Sequence, residues 1–308
     1  MRWRRWRKKL RYAIGRVVLA IATPIIVFLP LGFWLWLSRS IVWCLGKIPM
    51  PLSPFERNIL AYMGGEMSPE ERRRLALKAA ANVISAFFET IHAYFRPPSD
   101  FLQRVQVKDD FGLKAFCSEG KGAILVSAHL GPFPLLQLAL AKLGYPLRFL
   151  IKLPNNEWLA ERYKATIAHQ NLEPLLIPRG LAPKQQQALT MELVRCLKAG
   201  ELVCLFADEP EKEGGIPVRF LDRAVCLPGG PAVLHARYGF PIIPVYIFRE
   251  DGHYTVCVEH PVETGPNRRD IPAIAQACAD RLTAIIQKYT EHWSWLSKPR
   301  EAVKNGAS

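Results

Sequence analysis

One histidine, His129, closes the apolar run Gly122-Ala-Ile-Leu-Val-Ser-Ala128 and is followed at once by Leu130-Gly-Pro-Phe-Pro134. A neutral imidazole in that place can take a proton from a hydroxyl near neutral pH, which is the work of a general base in group transfer. The other role open to a lone strand-end histidine is a hydrogen bond to backbone, and residue type alone leaves both open. Asp208 and Glu209 follow a second apolar run, Leu202-Val-Cys-Leu-Phe206, where they serve either as a partner for His129 or as the cap of the next turn. Lys152 ends a third run as a point charge or a solvated strand-end lysine. Arg219 and Arg223 flank Phe220 in a loop suited to phosphate contact, or simply to water. Gly131 fits a close backbone approach beside His129 or a plain turn. His235, His253 and His260 show no metal-ligand spacing, and no G-x-G-x-x-G, Walker or G-x-S-x-G pattern occurs.

Those residues must be positioned by the elements around them. The run 123–127 is short and continuously apolar, so it reads as a buried strand of a mainly parallel sheet, with His129 at its C-terminal end. In open α/β sheets that edge is where ligands collect. Further strands are expected at 147–151, 174–177, 202–207, 242–248 and 254–258. Helices are expected at 133–143, 156–170, 183–198, 230–238 and 271–289. Such alternation predicts an α/β fold whose mainly parallel sheet is flanked by helices. Ser68-Pro-Glu-Glu carries the N-cap, first-turn proline and acidic residues of a helix start, with the helix running to about Tyr94.

The chain has 308 residues and a formal net charge of +14. Arg2, Arg4, Arg5, Arg7, Lys8, Lys9, Arg11 and Arg16 all precede the first acidic residue. That tail borders the charge-free stretch Val17 to Leu37, about as long as a helix needs to cross a hydrocarbon core of roughly 30 Å. Basic residues beside an apolar segment favour an anionic membrane surface over nucleic acid. Pro24 and Pro30 interrupt the stretch, so a re-entrant hairpin or embedded helix competes with a full crossing. Seven cysteines show no paired spacing, which points to a reducing compartment, and several lie inside apolar runs, where cysteine behaves as a small buried hydrophobe. The expected partition is a tail and membrane-embedded helix in residues 1–46, then one α/β domain in residues 47–308.

In order and spacing these pieces resemble the lipid A biosynthesis acyltransferases, a branch of the lysophospholipid acyltransferase superfamily. Ser127-Ala-His-Leu-Gly131, Ile151-Lys-Leu-Pro-Asn-Asn156, Ala207-Asp-Glu, Ile216-Pro-Val-Arg-Phe220, Pro228-Gly-Gly-Pro-Ala232, Pro241-Ile-Ile-Pro-Val245 and Trp293-Ser-Trp295 carry the resemblance over nearly the whole chain. It implies transfer of a fatty acyl group from acyl carrier protein or acyl-CoA to a hydroxyl of a lipid A-like glycolipid or lysolipid. His129 would be the base, Gly131, Lys152, Asp208, Glu209 and Arg219 would meet substrate, and no metal or bound cofactor is implied. The family location is the bacterial inner membrane, with the catalytic domain on the cytoplasmic side. In the family a carboxylate stands five residues after the histidine, and here that residue is Pro134, which cannot accept a hydrogen bond from imidazole. A catalytically silent lipid-binding relative is therefore the alternative expectation.

Overall fold

The structure, a computed structural model, describes residue 15 and residues 20–48, 53–64, 67–152, 157–170, 172–177, 183–211, 214–250, 252–297 and 299. The expected basic tail lies outside the described residues. Two helices, α1 (Ala20–Phe28) and α2 (Leu31–Gly46), meet at 116°. The break falls at Pro30, which caps α2; a residue before proline is driven out of the helical region, and the ring suits only a new helix start. Among the described residues no single helix is long and apolar enough to cross a membrane, whereas the bent pair together reaches that length and composition.

Helices α3 (Pro54–Met63) and α4 (Pro69–Phe95) both begin with proline behind a serine cap. Ser68 takes the Glu71 N–H while the Glu71 carboxylate takes the Ser68 N–H, at 3.2 and 2.9 Å, which satisfies two otherwise unpaired donors. Residues 54–63, for which the sequence reading expected no helix, are thus helical. α2 lies along α4, joined by a buried Ser38 to Ser85 hydroxyl bond of 2.7 Å and by Trp34 stacked on Phe88 at 4.7 Å.

The remaining elements are α5 (Pro98–Leu102), β1 (Val105–Asp109), α6 (Leu113–Ser118), β2 (Ala123–Ser127), α7 (Pro134–Lys142), β3 (Leu147–Lys152), α8 (Glu157–His169), β4 (Leu175–Ile177), α9 (Pro183–Lys198), β5 (Leu202–Phe206), β6 (Ile216–Phe220), β7 (Arg223–Leu227), α10 (Gly230–Tyr238), β8 (Ile242–Glu250), β9 (His253–Val258) and α11 (Ile271–Lys288). A 3₁₀ turn follows at Thr290–His292. The sheet order is β1-β9-β8-β2-β5-β3-β4. Every neighbouring pair in it is parallel except β8 with β9.

β2 is buried at every position, and its side chains alternate between two cores. Ile124 and Val126 pack on one side with Leu282 and Trp293, while Ala123 and Leu125 pack on the other with Leu136 and Leu140. α7 is buried from Leu135 to Leu140, as expected of a helix apolar nearly all round. A separate antiparallel hairpin, β6 with β7, occupies the region read from sequence as a basic loop, and it packs on α11.

Candidate active site

Strand register assembles the site. β2 and β5 run parallel with Ser127 opposite Phe206, so the residues two further along each strand, His129 and Asp208, leave the sheet side by side. Asp208 is fully buried, and a carboxylate can only accept, so His129 Nδ1–H donates to Asp208 Oδ1 at 2.7 Å. Asp208 Oδ2 accepts two further bonds, from the His129 backbone N–H at 2.8 Å and from the Trp293 indole N–H at 2.7 Å. Asp208 thus takes the place at Nδ1 that Pro134 cannot fill. Pro134 starts α7 and lines the adjoining cavity.

The segment after the 3₁₀ turn holds the histidine's backbone as well. Ser294 N–H donates to the His129 carbonyl at 3.0 Å, Gly131 N–H donates to the His292 carbonyl at 2.7 Å, and Leu130 bridges Trp293. Trp293 is fixed in turn by edge-to-face contacts with Tyr62, Phe220 and Trp295 at 5.2, 5.9 and 4.7 Å. Phe133 and Phe206 flank the His129 ring at 4.7 and 4.9 Å.

Electrostatics follow from this packing. Burial by itself would lower the His129 pKa, but the Asp208 charge and hydrogen bond, with Glu209 behind them, outweigh it and hold the ring above its ordinary value. Burial would likewise raise Asp208, yet the imidazole and the three donated bonds keep it below the usual carboxylate range. Asp208 occupies Nδ1, which leaves Nε2 as the ring nitrogen on offer to a ligand in the cavity that His129 lines.

That cavity, about 420 Å³, lies within the size range of small-molecule sites. Its wall is mainly apolar, drawn from α4 (Val83, Phe87, Ile91, Phe95), from Phe133 and from α8 (Tyr163). Gly131 and His292 line it beside His129. Gly131 has φ +53°, and a Cβ there would stand 3.1 Å from the Ile247 carbonyl oxygen, so both its conformation and its packing call for glycine.

The other residues singled out by sequence lie elsewhere. Glu209 is exposed and accepts a 2.7 Å bond from the Ser297 hydroxyl, so of the two adjacent carboxylates only Asp208 reaches the histidine. Arg219 is exposed on the β6–β7 hairpin, paired with Asp222 at 2.8 Å, and does not line the cavity. Lys152 ends β3 opposite Ile177, and its side chain lies outside the described residues. All seven cysteines are free. Burial pushes the thiol of Cys204, inside β5, up to about 12, which removes it as a nucleophile. Among the described residues no cluster of His, Cys, Asp and Glu could hold a metal ion. Sequence reading passed over Trp293 as a bonding partner and His292 as a lining residue; their only signal was a Trp-Ser-Trp segment far down the chain.

A buried histidine–carboxylate pair at the C-terminal edge of a parallel sheet, open to an apolar cavity, defines an α/β protein equipped for proton abstraction beside an apolar ligand. Residues 4–299 match the family described as bacterial lipid A biosynthesis acyltransferase, and the chain belongs to that family. It is similar to the phosphatidylinositol mannoside acyltransferase of Mycolicibacterium smegmatis (strain ATCC 700084 / mc(2)155), 26% identical over 194 residues, which are 63% of this chain and 62% of that protein. Proteins of the same name from Mycobacterium tuberculosis, strains CDC 1551 / Oshkosh and ATCC 25618 / H37Rv, are 24% identical over 184 residues, 60% of this chain and 56% of theirs. The match therefore spans less than two thirds of the length of these relatives.

Proposed function

We propose that this chain moves a fatty acyl group from a carrier thioester, on acyl carrier protein or coenzyme A, to a hydroxyl of a membrane glycolipid. The observation that carries this reading is the His129–Asp208 pair at 2.7 Å, with Nε2 left for a ligand in the apolar cavity. Asp208 fixes the tautomer in which Nε2 is the basic nitrogen. An acceptor hydroxyl at Nε2 loses its proton to His129 as its oxygen attacks the thioester carbonyl carbon. The tetrahedral oxyanion then collapses, the carbon–sulfur bond breaks, and the imidazolium returns the proton to the departing thiolate. The acyl chain fits the apolar wall between α4 and α8.

The names of the relatives make a mannosylated phosphatidylinositol the first acceptor to test, beside a lipid A precursor and a lysolipid. Membrane attachment through the bent α1–α2 pair is part of the same proposal. Its support is that Ile21, Ile25, Phe28, Phe33, Trp36 and Trp43 are exposed, Phe28 at 83%. Aromatic and aliphatic side chains left in water over one bent element suit the interface of a bilayer. Residence at the inner membrane, with the α/β domain on the cytoplasmic side, goes with this reading.

The deciding experiment supplies the purified full chain with acyl-CoA or acyl carrier protein thioesters and each acceptor in turn. Transfer by the wild type that is lost in a folded His129→Ala variant is the expected result. A folded wild type that transfers from no thioester to any of these acceptors would overturn the proposal and leave the silent lipid-binding alternative in its place.

A further inference from the structure

α4 walls two cavities. Thr90, Ile91, Tyr94 and Phe95 face the apolar one, whereas Glu89, His92, Ala93 and Arg96 line a second cavity of about 250 Å³. At 3.6 residues per turn the two sets fall on opposite sides of the helix. The second cavity is closed by Pro30, Leu31 and Gly32 at the bend between α1 and α2, and by Gln103 and Arg104 after α5.

Its charges are only loosely paired from within: Asp100 lines the same cavity and faces Arg96. Glu89 is fully buried and already engaged, accepting from Arg249 at 2.8 Å and from the Tyr254 hydroxyl at 3.0 Å. Asp100 stands 4.0 Å from Arg96, too far for a hydrogen bond. Arg104 has no ion-pair partner among the described residues. His92 donates from Nε2 to the Leu29 carbonyl at 2.8 Å and adds no charge, since burial, with Arg96 and Arg104 beside it, lowers its pKa. Arg96 and Arg104 thus line a polar cavity in which Glu89 is spent on Arg249 and Tyr254, and Asp100 faces Arg96 without a hydrogen bond, leaving Arg104 as its free cation among the described residues.

The place of this cavity in the fold narrows the ligand. Phe28, just before the bend, and Phe33, just after it, are exposed at 83% and 40%. If these side chains enter a bilayer, the arginines at the bend stand at the level of the headgroups. Guanidinium forks match phosphate oxygens in shape and charge. We propose that the cavity lined by Arg96 and Arg104 binds a phosphate group, supplied by the headgroup of a membrane lipid and separate from the acceptor at His129. This rests on the membrane attachment proposed above.

The test compares vesicles of phosphatidylcholine alone with vesicles of equal parts phosphatidylcholine and phosphatidylglycerol, using the full chain at one ionic strength. Arg96→Gln with Arg104→Gln should weaken binding to the anionic vesicles about tenfold, and binding to phosphatidylcholine, whose phosphate is already partnered by its own choline, by less than about threefold. Arg57→Gln with Arg74→Gln removes the same charge from exposed helix positions outside the cavity and should cost less than about threefold. Arg96→Lys with Arg104→Lys, which keeps charge and loses the fork, should fall between wild type and the glutamine pair, and it guards against misfolding as the cause. Equal weakening by the two glutamine pairs would overturn the proposal, because general attraction to a basic protein would then suffice. Inorganic phosphate, followed by broadening of its phosphorus resonance, separates the sources. Phosphate binding that the glutamine pair abolishes while vesicle affinity stays the same makes a soluble phosphate the ligand and overturns the lipid assignment. A wild type that binds neither vesicle shows that the membrane reading has failed. Phosphate titration alone then decides whether Arg96 and Arg104 form an anion site, and absence of binding overturns that too.

Discussion

Trp293 donates its indole N–H to Asp208 Oδ2 at 2.7 Å, while the other oxygen of the same carboxylate holds the His129 ring. The acid that orients the base is therefore itself oriented by a tryptophan that is 1% exposed. Trp293→Phe keeps the ring packing and removes one donor. Loss of a charge-assisted bond to a buried group should cost about 1.5–3 kcal/mol of stability, read as a lower denaturant midpoint. It should also slow acyl transfer about tenfold by loosening Asp208. Unchanged stability and rate would leave Trp293 as packing only.

Asp208 and Pro134 make opposite demands. Asp208→Asn removes the charge that fixes the imidazole tautomer and should lower the transfer rate by up to about 10⁴-fold, the loss seen when a triad's carboxylate becomes an amide. Pro134→Glu, which places a carboxylate where the family has one, should add nothing to the wild type, since Nδ1 is already occupied. A rise in rate with Pro134→Glu would mean that Asp208 does not serve the base. Single-turnover rates for the two variants and wild type decide it.

The pH dependence has a definite sign. A general base must be neutral, so the rate should rise with pH to a plateau, and its inflection should lie above the ordinary histidine value of about 6.5 because Asp208 stabilises the charged ring. Asp208→Asn should move that inflection downward. For stability, a raised histidine pKa contributes fully below about pH 6.5 and its contribution is lost as pH climbs through the folded value. The lowered Asp208 pKa contributes above its ordinary value of about 3.8 and is lost as pH falls through the folded one. An inflection below 6.5 in the wild type would contradict the pairing.

Gly131→Ala puts a Cβ 3.1 Å from the Ile247 carbonyl and 3.5 Å from His292 Nδ1, at φ +53°. A left-handed non-glycine residue costs about 1–2 kcal/mol, so the variant should lose stability by that amount and activity with it. Gly131→Leu should fare worse on both counts. A Gly131→Ala protein with wild-type melting and impaired transfer would assign this glycine to substrate contact alone.

How much of this was legible in the sequence depends on where each residue's constraint lies. β2, β5 and β8 are buried apolar runs, and their composition marks them directly. β1, Val-Gln-Val-Lys-Asp, is a largely exposed edge strand whose polar residues carry little strand signal, and sequence reading missed it. Arg219 read as a loop residue, whereas it lies in β6, one residue beyond Ile216-Pro-Val218. Proline is tolerated there because the hairpin is only two strands wide, so each strand is an edge. His129 was visible as a polar residue ending an apolar run. Its partner was not, because nothing local separates Asp208 from Glu209. The register of β2 on β5 makes that choice by turning one side chain inward and the next one out to solvent.

The pair also sets an order of events during folding. His129 and Asp208 are 79 residues apart, and Asp208 and Trp293 are 85 apart, so two long loops must close before the base has its tautomer. Closing loops of that length costs chain entropy that contacts within one helix do not. The hydrogen-bonded arrangement of the proposed base is therefore complete only when the Trp293 segment has docked on the β2–β5 edge.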